Sequence, residues 1–135
     1  MKRVLIADDE PIERMIVSRT IEKYFSEELT VVSAANGREA VEQFFAGDCQ
    51  IALLDIEMPG MNGLEAAEQI RKRDKNCSII FLTAFDEFNY ARRAIVVRAM
   101  EYLLKPVEDQ ELVAVLEEAV RIAEEQETDR EAGDK

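Results

Sequence analysis

Short apolar runs alternate along this chain with longer segments in which apolar residues recur every three or four positions. Three of the runs are almost continuously apolar, which is typical of central strands in a parallel sheet covered on both faces. The longer segments have the one-sided apolar stripe of amphipathic helices. Five strand–helix repeats predict an α/β fold with a doubly wound parallel sheet and helices on both faces. The predicted strands are residues 4–7, 31–32, 51–54, 79–82 and 102–104.

The predicted helices begin and end at residues that suit helix termini. The first starts at Pro11, whose fixed φ and missing N–H fit a first helical turn, and runs to Phe25. Asn36 is a candidate N-cap of the second helix, which stops before Gly47. The other helices are predicted over residues 64–73, over 87–98, and from about 109 past 123.

Length, charge and composition exclude several classes of function. The 135 residues fit one domain, and the net charge of −12 argues against nucleic-acid binding by this segment. The chain has no histidine, which excludes Ser-His-Asp and Cys-His nucleophile systems and leaves any phosphohistidine to a partner. We expect no membrane contact and a cytoplasmic location, because acids interrupt the N-terminal apolar stretch at residue 8. Cys49 and Cys77 are expected to be reduced thiols.

Polar or charged side chains stand at the carboxyl ends of four predicted strands. They are Asp8 and Asp9, then Asp55, Thr83 and Lys105. Ligands of doubly wound folds bind at this edge of the sheet, so we expect the five side chains to converge. Three carboxylates would repel one another without a cation, and Mg²⁺ prefers such oxygen ligands.

Each of these residues also has an ordinary structural explanation when it is taken alone. Asp8 and Asp9 could complement the dipole of the following helix, and Asp55 could open a loop. Thr83 could be a β-branched strand residue, and Tyr102 could be a half-buried aromatic on an edge strand. The agreement of four strand ends favours a functional site.

Four motifs, in this order and spacing, resemble the receiver domains of two-component response regulators. They are DD at 8–9, LDIEMPGMNG at 54–63, LTA at 82–84 and YLLKP at 102–106. The resemblance covers about residues 2–122 and implies a flavodoxin-like sheet with strand order 2-1-3-4-5. We therefore expect a receiver domain over residues 1–123. Residues 124–135 would be an acidic tail or the start of a linker to an output domain outside this chain.

The resemblance implies a role for each residue of the acidic site. Asp55 would accept a phosphoryl group from a histidine kinase. Asp9, Asp55 and the backbone carbonyl of Glu57 would ligate Mg²⁺, while Asp8 would act through a bound water. Lys105 would pair with Asp55 at rest and with a phosphoryl oxygen afterwards.

The resemblance also implies a switch. Thr83 would donate its hydroxyl to the phosphoryl group, and Tyr102 would turn inward as the threonine moves. The peptide between Lys105 and Pro106 is cis at this position of similar proteins. The chain would then be a signalling switch, and not an enzyme in the usual sense, that catalyses its own phosphorylation and dephosphorylation.

The expected output surface consists of the fourth helix, the fifth strand and the fifth helix, and it could also form a homodimer. We expect one of Val96 and Val97 to pack in the core, while an exposed valine would suit a partner face. Similar proteins usually have glycine at the position of Arg98, so the conformation there stays open. Residues 85–90 and the YLLKP run look similar to receivers fused to AraC-type helix-turn-helix domains. DNA would be contacted only through such a domain, which would make transcription regulation the output.

Three alternatives stay open from the sequence. A haloacid-dehalogenase-type phosphatase would use Asp8 as its nucleophile, but Glu10 and Pro11 follow without the glycine and hydroxyl residues expected there. A flavodoxin-like flavin carrier would need a phosphate loop where the acids stand. A degenerate receiver would act only as a binding scaffold, and the filling of all five site positions weakens this alternative. The sequence also leaves open whether the chain is a stand-alone receiver or a piece of a longer protein.

Overall fold

The apolar runs form one parallel sheet in the computed structural model, which describes residues 1–133 and the side chains of residues 1–130. The strand order is β2-β1-β3-β4-β5, which is the doubly wound, flavodoxin-like order that the sequence predicted. Each predicted strand is present, although most are longer than the apolar run that marked them. The strands are β1 (Lys2–Ala7), β2 (Leu29–Ala34), β3 (Ile51–Leu54), β4 (Ser78–Thr83) and β5 (Glu101–Leu104).

Five helices follow the strands, as predicted. They are α1 (Pro11–Phe25), α2 (Gly37–Ala46), α3 (Gly63–Arg73), α4 (Phe88–Val96) and α5 (Asp109–Gly133). Asparagine caps two of them: the Asn36 side chain accepts the Glu39 N–H at 2.8 Å, and Asn62 forms a reciprocal capping box with Glu65. Pro11 occupies the first turn of α1.

The predicted end of α4 at residue 98 was wrong. The helix ends at Val96, and Val97 and Arg98 close it by donating N–H groups to Arg93 and Ile95 carbonyls. Arg98 then adopts a left-handed backbone with a φ of 57°, at the position where similar proteins usually have glycine. Val97 is buried and Val96 is exposed, so the prediction that one of the two valines packs in the core is confirmed.

Two apolar clusters cover the two faces of the sheet, because side chains on successive strand residues point to opposite faces. Leu5 of β1 belongs to the cluster that α2, α3 and α4 cover, whereas Val4 and Ile6 belong to the cluster under α1 and α5. Helices on both faces therefore bury the sheet, as the continuous apolar runs predicted. Cys49 and Cys77 are buried free thiols within the first cluster.

Helix α5 continues without a break past the predicted domain boundary at residue 123. Within residues 109–130 of this helix, Ala123 is the last buried residue. Beyond it, the Gln126 amide donates to the Asn76 carbonyl at 2.8 Å, and Lys2 forms an ion pair with Glu127. The tail predicted over 124–135 thus starts as a docked helical extension, and its last two positions lie outside the described residues. No helix among residues 1–133 combines the length and the hydropathy needed to cross a bilayer.

Candidate functional site

The register of the sheet brings the carboxyl ends of β1, β3 and β4 into line. Ala7 pairs with Leu54, and Leu54 pairs with Phe81. The residue after each strand end stays attached to the sheet, because Asp55 donates its N–H to the Ala7 carbonyl at 2.9 Å. Lys105 likewise donates its N–H to the Thr83 carbonyl at 2.8 Å. The side chains that follow these strands therefore open onto one edge, as expected.

Three aspartates meet at this edge. Carboxylate oxygens of Asp8, Asp9 and Asp55 all lie within 4.8 Å of one another. Like charges this close repel one another, and a hard divalent cation with oxygen ligands would relieve that repulsion. The donor set thus fits the Mg²⁺ that the sequence predicted, with Asp9 exposed, Asp8 buried and Asp55 between them in burial.

Lys105 supplies positive charge within this acidic edge. Its ammonium nitrogen lies 2.8 Å from Asp8 Oδ2, 3.6 Å from Asp55 Oδ2 and 3.8 Å from Glu13 Oε2. The expected pair with Asp55 is present, but the shortest contact is with Asp8. Glu13 is a further acid that was not predicted from the sequence, although its place in the first turn of α1 was a usable signal.

The two aspartates after β1 have different surroundings. Asp8 is buried, its Oδ1 accepts the Glu10 N–H at 3.0 Å, and its Oδ2 pairs with Lys105. The Asp8 backbone carbonyl also accepts a hydrogen bond from Arg14 at 2.5 Å. Asp9 is exposed and lines the cavity described below. Asp9 is therefore the more available of the two for direct contact with a cation.

The pKa of Asp55 is raised above its ordinary value. Burial is the main cause, and the Asp8 charge adds to it, while Lys105 opposes both. The Ile56 N–H, which donates to Asp55 Oδ1 at 2.8 Å, and the Thr83 hydroxyl also favour the charged form. Asp55 is thus a partly desolvated carboxylate that a local cation would stabilise as the anion.

Thr83 and Tyr102, the two predicted switch residues, flank the loop between β4 and α4. Thr83 is fully buried, and its hydroxyl accepts the Phe85 N–H at 3.3 Å. The Tyr102 hydroxyl donates to the Phe85 carbonyl at 2.5 Å, and its ring is half-buried against the core. Both hydroxyls therefore bind the backbone of one loop residue. The Lys105–Pro106 peptide is cis, as expected.

The loop between β3 and α3 is held against the sheet by a close backbone approach. The Gly63 N–H donates to the Ile56 carbonyl at 2.8 Å. A Cβ at Gly63 would lie 1.8 Å from the Asp55 carbonyl oxygen, so only glycine fits there. Glu57, in the same loop, lines the cavity, and its carboxylate accepts a hydrogen bond from the Tyr90 hydroxyl on α4. Tyr90 was not among the site residues predicted from the sequence.

A cavity of about 680 Å³ opens over the acidic edge. Its floor is polar and its walls, from α1, β4 and the segment after β5, are largely apolar. The volume exceeds what a phosphoryl group alone would need, and leaves room for part of a donor molecule. It is lined by Asp9, Glu10, Glu13, Ile16, Val17, Asp55, Glu57, Leu82, Ala84, Phe85, Lys105, Pro106 and Val107.

Residues 4–117 match the family model of the response regulator receiver domain. The chain belongs to this receiver domain family. Receiver domains are the signalling switches of two-component systems, and histidine kinases are their partners in those systems. They bind Mg²⁺ at an acidic pocket, and this receiver has its aspartate cluster at the carboxyl edge of the sheet.

Curated relatives of this receiver include regulators and a chemotaxis protein. It is 40% identical over 118 residues to the positive alginate biosynthesis regulatory protein of Pseudomonas aeruginosa, covering 87% of this chain and 47% of that protein. It is 34% identical over 120 residues to the transcriptional regulatory protein YesN of Bacillus subtilis, covering 89% of this chain and 33% of YesN. It is 37% identical over 115 residues to the chemotaxis protein CheY of Thermotoga maritima, covering 85% of this chain and 94% of CheY. The chain thus spans less than half of the two regulators.

Solved structures agree with this family assignment. The response regulator TrrA of Thermotoga maritima, in complex with Mg²⁺ and BeF, has a TM-score of 0.76 and 38% identity, over 88% of this chain and 99% of TrrA. The chemotaxis protein CheY4 of Vibrio cholerae has a TM-score of 0.79 and 28% identity, over 88% of this chain and 98% of CheY4. The chain therefore has the CheY-like receiver fold.

Proposed function

We propose that this receiver takes a phosphoryl group onto Asp55 in a Mg²⁺-dependent reaction. The observation that carries the proposal is the convergence of Asp8, Asp9, Asp55 and Lys105 at one edge of the sheet. A carboxylate oxygen of Asp55 attacks phosphorus, the bond from phosphorus to the donor nitrogen breaks, and the imidazole of the kinase leaves. Catalysis of this kind is mostly positioning and charge neutralisation.

The surrounding residues supply that positioning and charge. Mg²⁺ would be held by Asp9, Asp55 and the Glu57 backbone carbonyl, with Asp8 reaching it through water, and would neutralise charge on the phosphoryl oxygens. Lys105 is already within 3.6 Å of Asp55 and would turn its ammonium group to a phosphoryl oxygen. Hydrolysis of the acyl phosphate at the same site would return the switch to rest.

The phosphodonor would be the phosphohistidine domain of a histidine kinase that docks over α1. Ile12, Met15 and Ile16 are large apolar side chains that α1 leaves exposed, and Ile16 also lines the cavity. An apolar contact surface beside the acidic floor suits a donor that must bring its imidazole to Asp55. Because the chain has no histidine of its own, the phosphohistidine must belong to the partner.

Phosphorylation would be signalled through Thr83 and Tyr102 to the surface formed by α4, β5 and α5. Their hydroxyls share Phe85, so movement of one changes the contacts of the other. On α4, Phe88, Ile95 and Val96 are 75–79% exposed, which suits a homodimer or another partner at this face.

The wider role we propose is control of transcription in the cytoplasm. Residues 1–123 would be the receiver, and residues 124–135 would begin a linker to an output domain outside this chain. The regulatory relatives are longer proteins, of which this chain covers 47% and 33%. Any DNA contact would be made by that output domain, since the chain described here carries a net charge of −12.

Incubation with acetyl phosphate and Mg²⁺, followed by intact mass measurement, tests the proposal. Wild type should gain one phosphoryl group and Asp55→Asn should gain none. Asp48→Asn is the matched control, because Asp48 lies before β3, at the opposite end of that strand from Asp55, and its left-handed backbone suits asparagine. Equal labelling of Asp55→Asn would contradict the proposal, as would phosphorylation mapped to Asp8. An unlabelled wild type would favour the scaffold alternative.

A further inference from the structure

Arg14 connects α1 to the backbone between the two aspartates that follow β1. It is the fourth residue of the helix, and its guanidinium donates to the Asp8 carbonyl at 2.5 Å. Asp8 is the first residue after the strand, and no backbone N–H of residues 1–133 donates to its carbonyl. A partly buried arginine therefore supplies the hydrogen bond that the sheet does not.

The same carbonyl belongs to the peptide unit that leads into Asp9. A peptide unit is planar, so a donor that fixes the Asp8 carbonyl also fixes the N–H and the Cα of Asp9. The Asp8 N–H donates to the Ala34 carbonyl at 3.1 Å, and its carboxylate accepts the Glu10 N–H at 3.0 Å. Together with Arg14, these bonds hold the turn between β1 and α1 at three points.

The Asp9 carboxylate depends on that turn for its position. It is exposed and faces the cavity, and among the side chains of residues 1–130 none forms a hydrogen bond or an ion pair with it. Asp8, by contrast, is held directly through its own carboxylate by Lys105. The backbone is therefore what keeps an Asp9 oxygen within 4.8 Å of the other two carboxylates.

We infer that Arg14 is a positioning residue for the metal site, which holds the backbone so that the Asp9 carboxylate is placed to ligate Mg²⁺. The inference rests on the proposed function and adds a residue to it. A ligand that is already in place loses little conformational freedom when the ion binds, so the ion is bound more tightly. Arg14 acts through the backbone and not through its charge, because a positive charge near the site repels a cation.

Positioning and charge predict opposite effects when Arg14 is removed. Arg14→Met keeps an unbranched side chain but removes the donor and the charge. If Arg14 positions Asp9, Mg²⁺ binding should weaken about five-fold, which corresponds to one hydrogen bond and is less than expected on removal of the Asp9 carboxylate itself. If its charge alone mattered, binding would become tighter. Arg14→Ala should weaken binding in the same way, and it replaces the first variant if methionine disturbs the fold.

NMR titration of the chain with MgCl₂ measures the dissociation constant from the amide signals of residues 8–10, and the spectrum shows that each variant is folded. Arg19→Met is the matched control, because it removes the same charge from an exposed position of α1. It should leave the dissociation constant within about two-fold of wild type. In an Asp9→Ala background Arg14→Met should have no further effect, because Arg14 acts through the Asp9 carboxylate.

Three other results would count against these roles. An unchanged or tighter affinity in Arg14→Met would overturn the inference even if urea unfolding showed a loss of stability, since a purely structural arginine would cost stability alone. An equal loss of affinity with and without the Asp9 carboxylate would show that Arg14 acts on another part of the site. Wild type that bound no Mg²⁺ would instead contradict the proposed function, and the inference would fall with it.

Discussion

The Lys105 ammonium group is closer to Asp8 than to the proposed phosphoacceptor: the distances are 2.8 Å to Asp8 Oδ2 and 3.6 Å to Asp55 Oδ2. Asp8 is thus already neutralised by a lysine and bound by the Glu10 N–H. Asp55 is held less tightly by the same lysine. The arrangement leaves the Asp9 and Asp55 side chains as the better direct ligands for a metal ion.

We predict that Asp9→Ala weakens Mg²⁺ binding more than Asp8→Ala. The first change removes an exposed carboxylate that faces the cavity, and the second removes one that Lys105 already neutralises. A tenfold loss for Asp9→Ala and a smaller loss for Asp8→Ala are expected, in line with roughly 1.4 kcal/mol per tenfold change. Calorimetric titration with Mg²⁺ measures both. The reverse order would contradict the division of roles between the two aspartates.

We predict that Asp55→Asn stabilises the protein at neutral pH in buffer without Mg²⁺. Burial raises the pKa of Asp55, so its charged form is less favourable in the folded chain than in the unfolded chain. Below the ordinary value of 3.8 the group is protonated in both states and costs nothing. The destabilisation grows as the pH rises from this ordinary value to the raised pKa of the folded chain, and it is complete above the raised pKa.

Urea unfolding across this pH range measures the effect. The substitution should add about 1 kcal/mol at neutral pH, and the gain should shrink as the solution is acidified toward the ordinary pKa. Asp129→Asn, an exposed change on α5, is the control and should stay within about 0.5 kcal/mol of wild type. A gain that persisted unchanged in acid would show that ionisation of Asp55 is not its cause.

We predict that Gly63→Ala disrupts the site although it adds only one methyl group. The added Cβ would lie 1.8 Å from the Asp55 carbonyl oxygen, so the backbone beneath the phosphoacceptor must move. A destabilisation of about 3 kcal/mol and loss of labelling by acetyl phosphate are expected. Gly60→Ala is the matched control, because a Cβ there meets nothing within 4 Å. Its φ of 71° should cost only about 1 kcal/mol. Equal effects at both positions would contradict the argument.

The sheet and the site could be predicted because their signals are local. The run from Ile51 to Leu54 is apolar throughout and is β3 without a change of bounds. Asp8, Asp55 and Lys105 each follow a strand directly, so the parallel arrangement of the strands brings them together. The edge strand β2 was predicted with only two of its six residues, because Thr30 and Ser33 interrupt its apolar residues.

Contacts between distant segments could not be predicted from one sequence. The pairs of Tyr90 with Glu57 and of Lys105 with Glu13 join elements far apart in the chain, and no spacing identifies them. The early end of α4 likewise depends on a contact between distant segments. The apolar pattern continues through Val97, but a side chain of α3 binds the carbonyls at the end of the helix.

That side chain is Arg71, and we predict that it compensates for the missing glycine at Arg98. Its guanidinium donates to the Val97 and Cys77 carbonyls at 2.8 Å and to the Arg98 carbonyl at 3.3 Å. It thus satisfies carbonyls where a left-handed residue ends α4. Arg71→Ala should destabilise by about 2 kcal/mol, since buried carbonyls lose their donors. The control Lys72→Ala, an exposed change on α3, should cost little.

A double-mutant cycle measured by urea unfolding decides whether Arg71 supports the strained residue. Arg98→Gly should stabilise the protein by about 1 kcal/mol, because glycine adopts the left-handed region without steric cost. If the guanidinium holds this backbone in place, Arg71→Ala should cost less when residue 98 is already glycine, by at least about 0.5 kcal/mol. An equal cost in both backgrounds would mean that Arg71 acts only on the β4 side, through Cys77. A reduced cost would show that Arg71, from α3, stabilises the left-handed backbone of residue 98 at the end of α4.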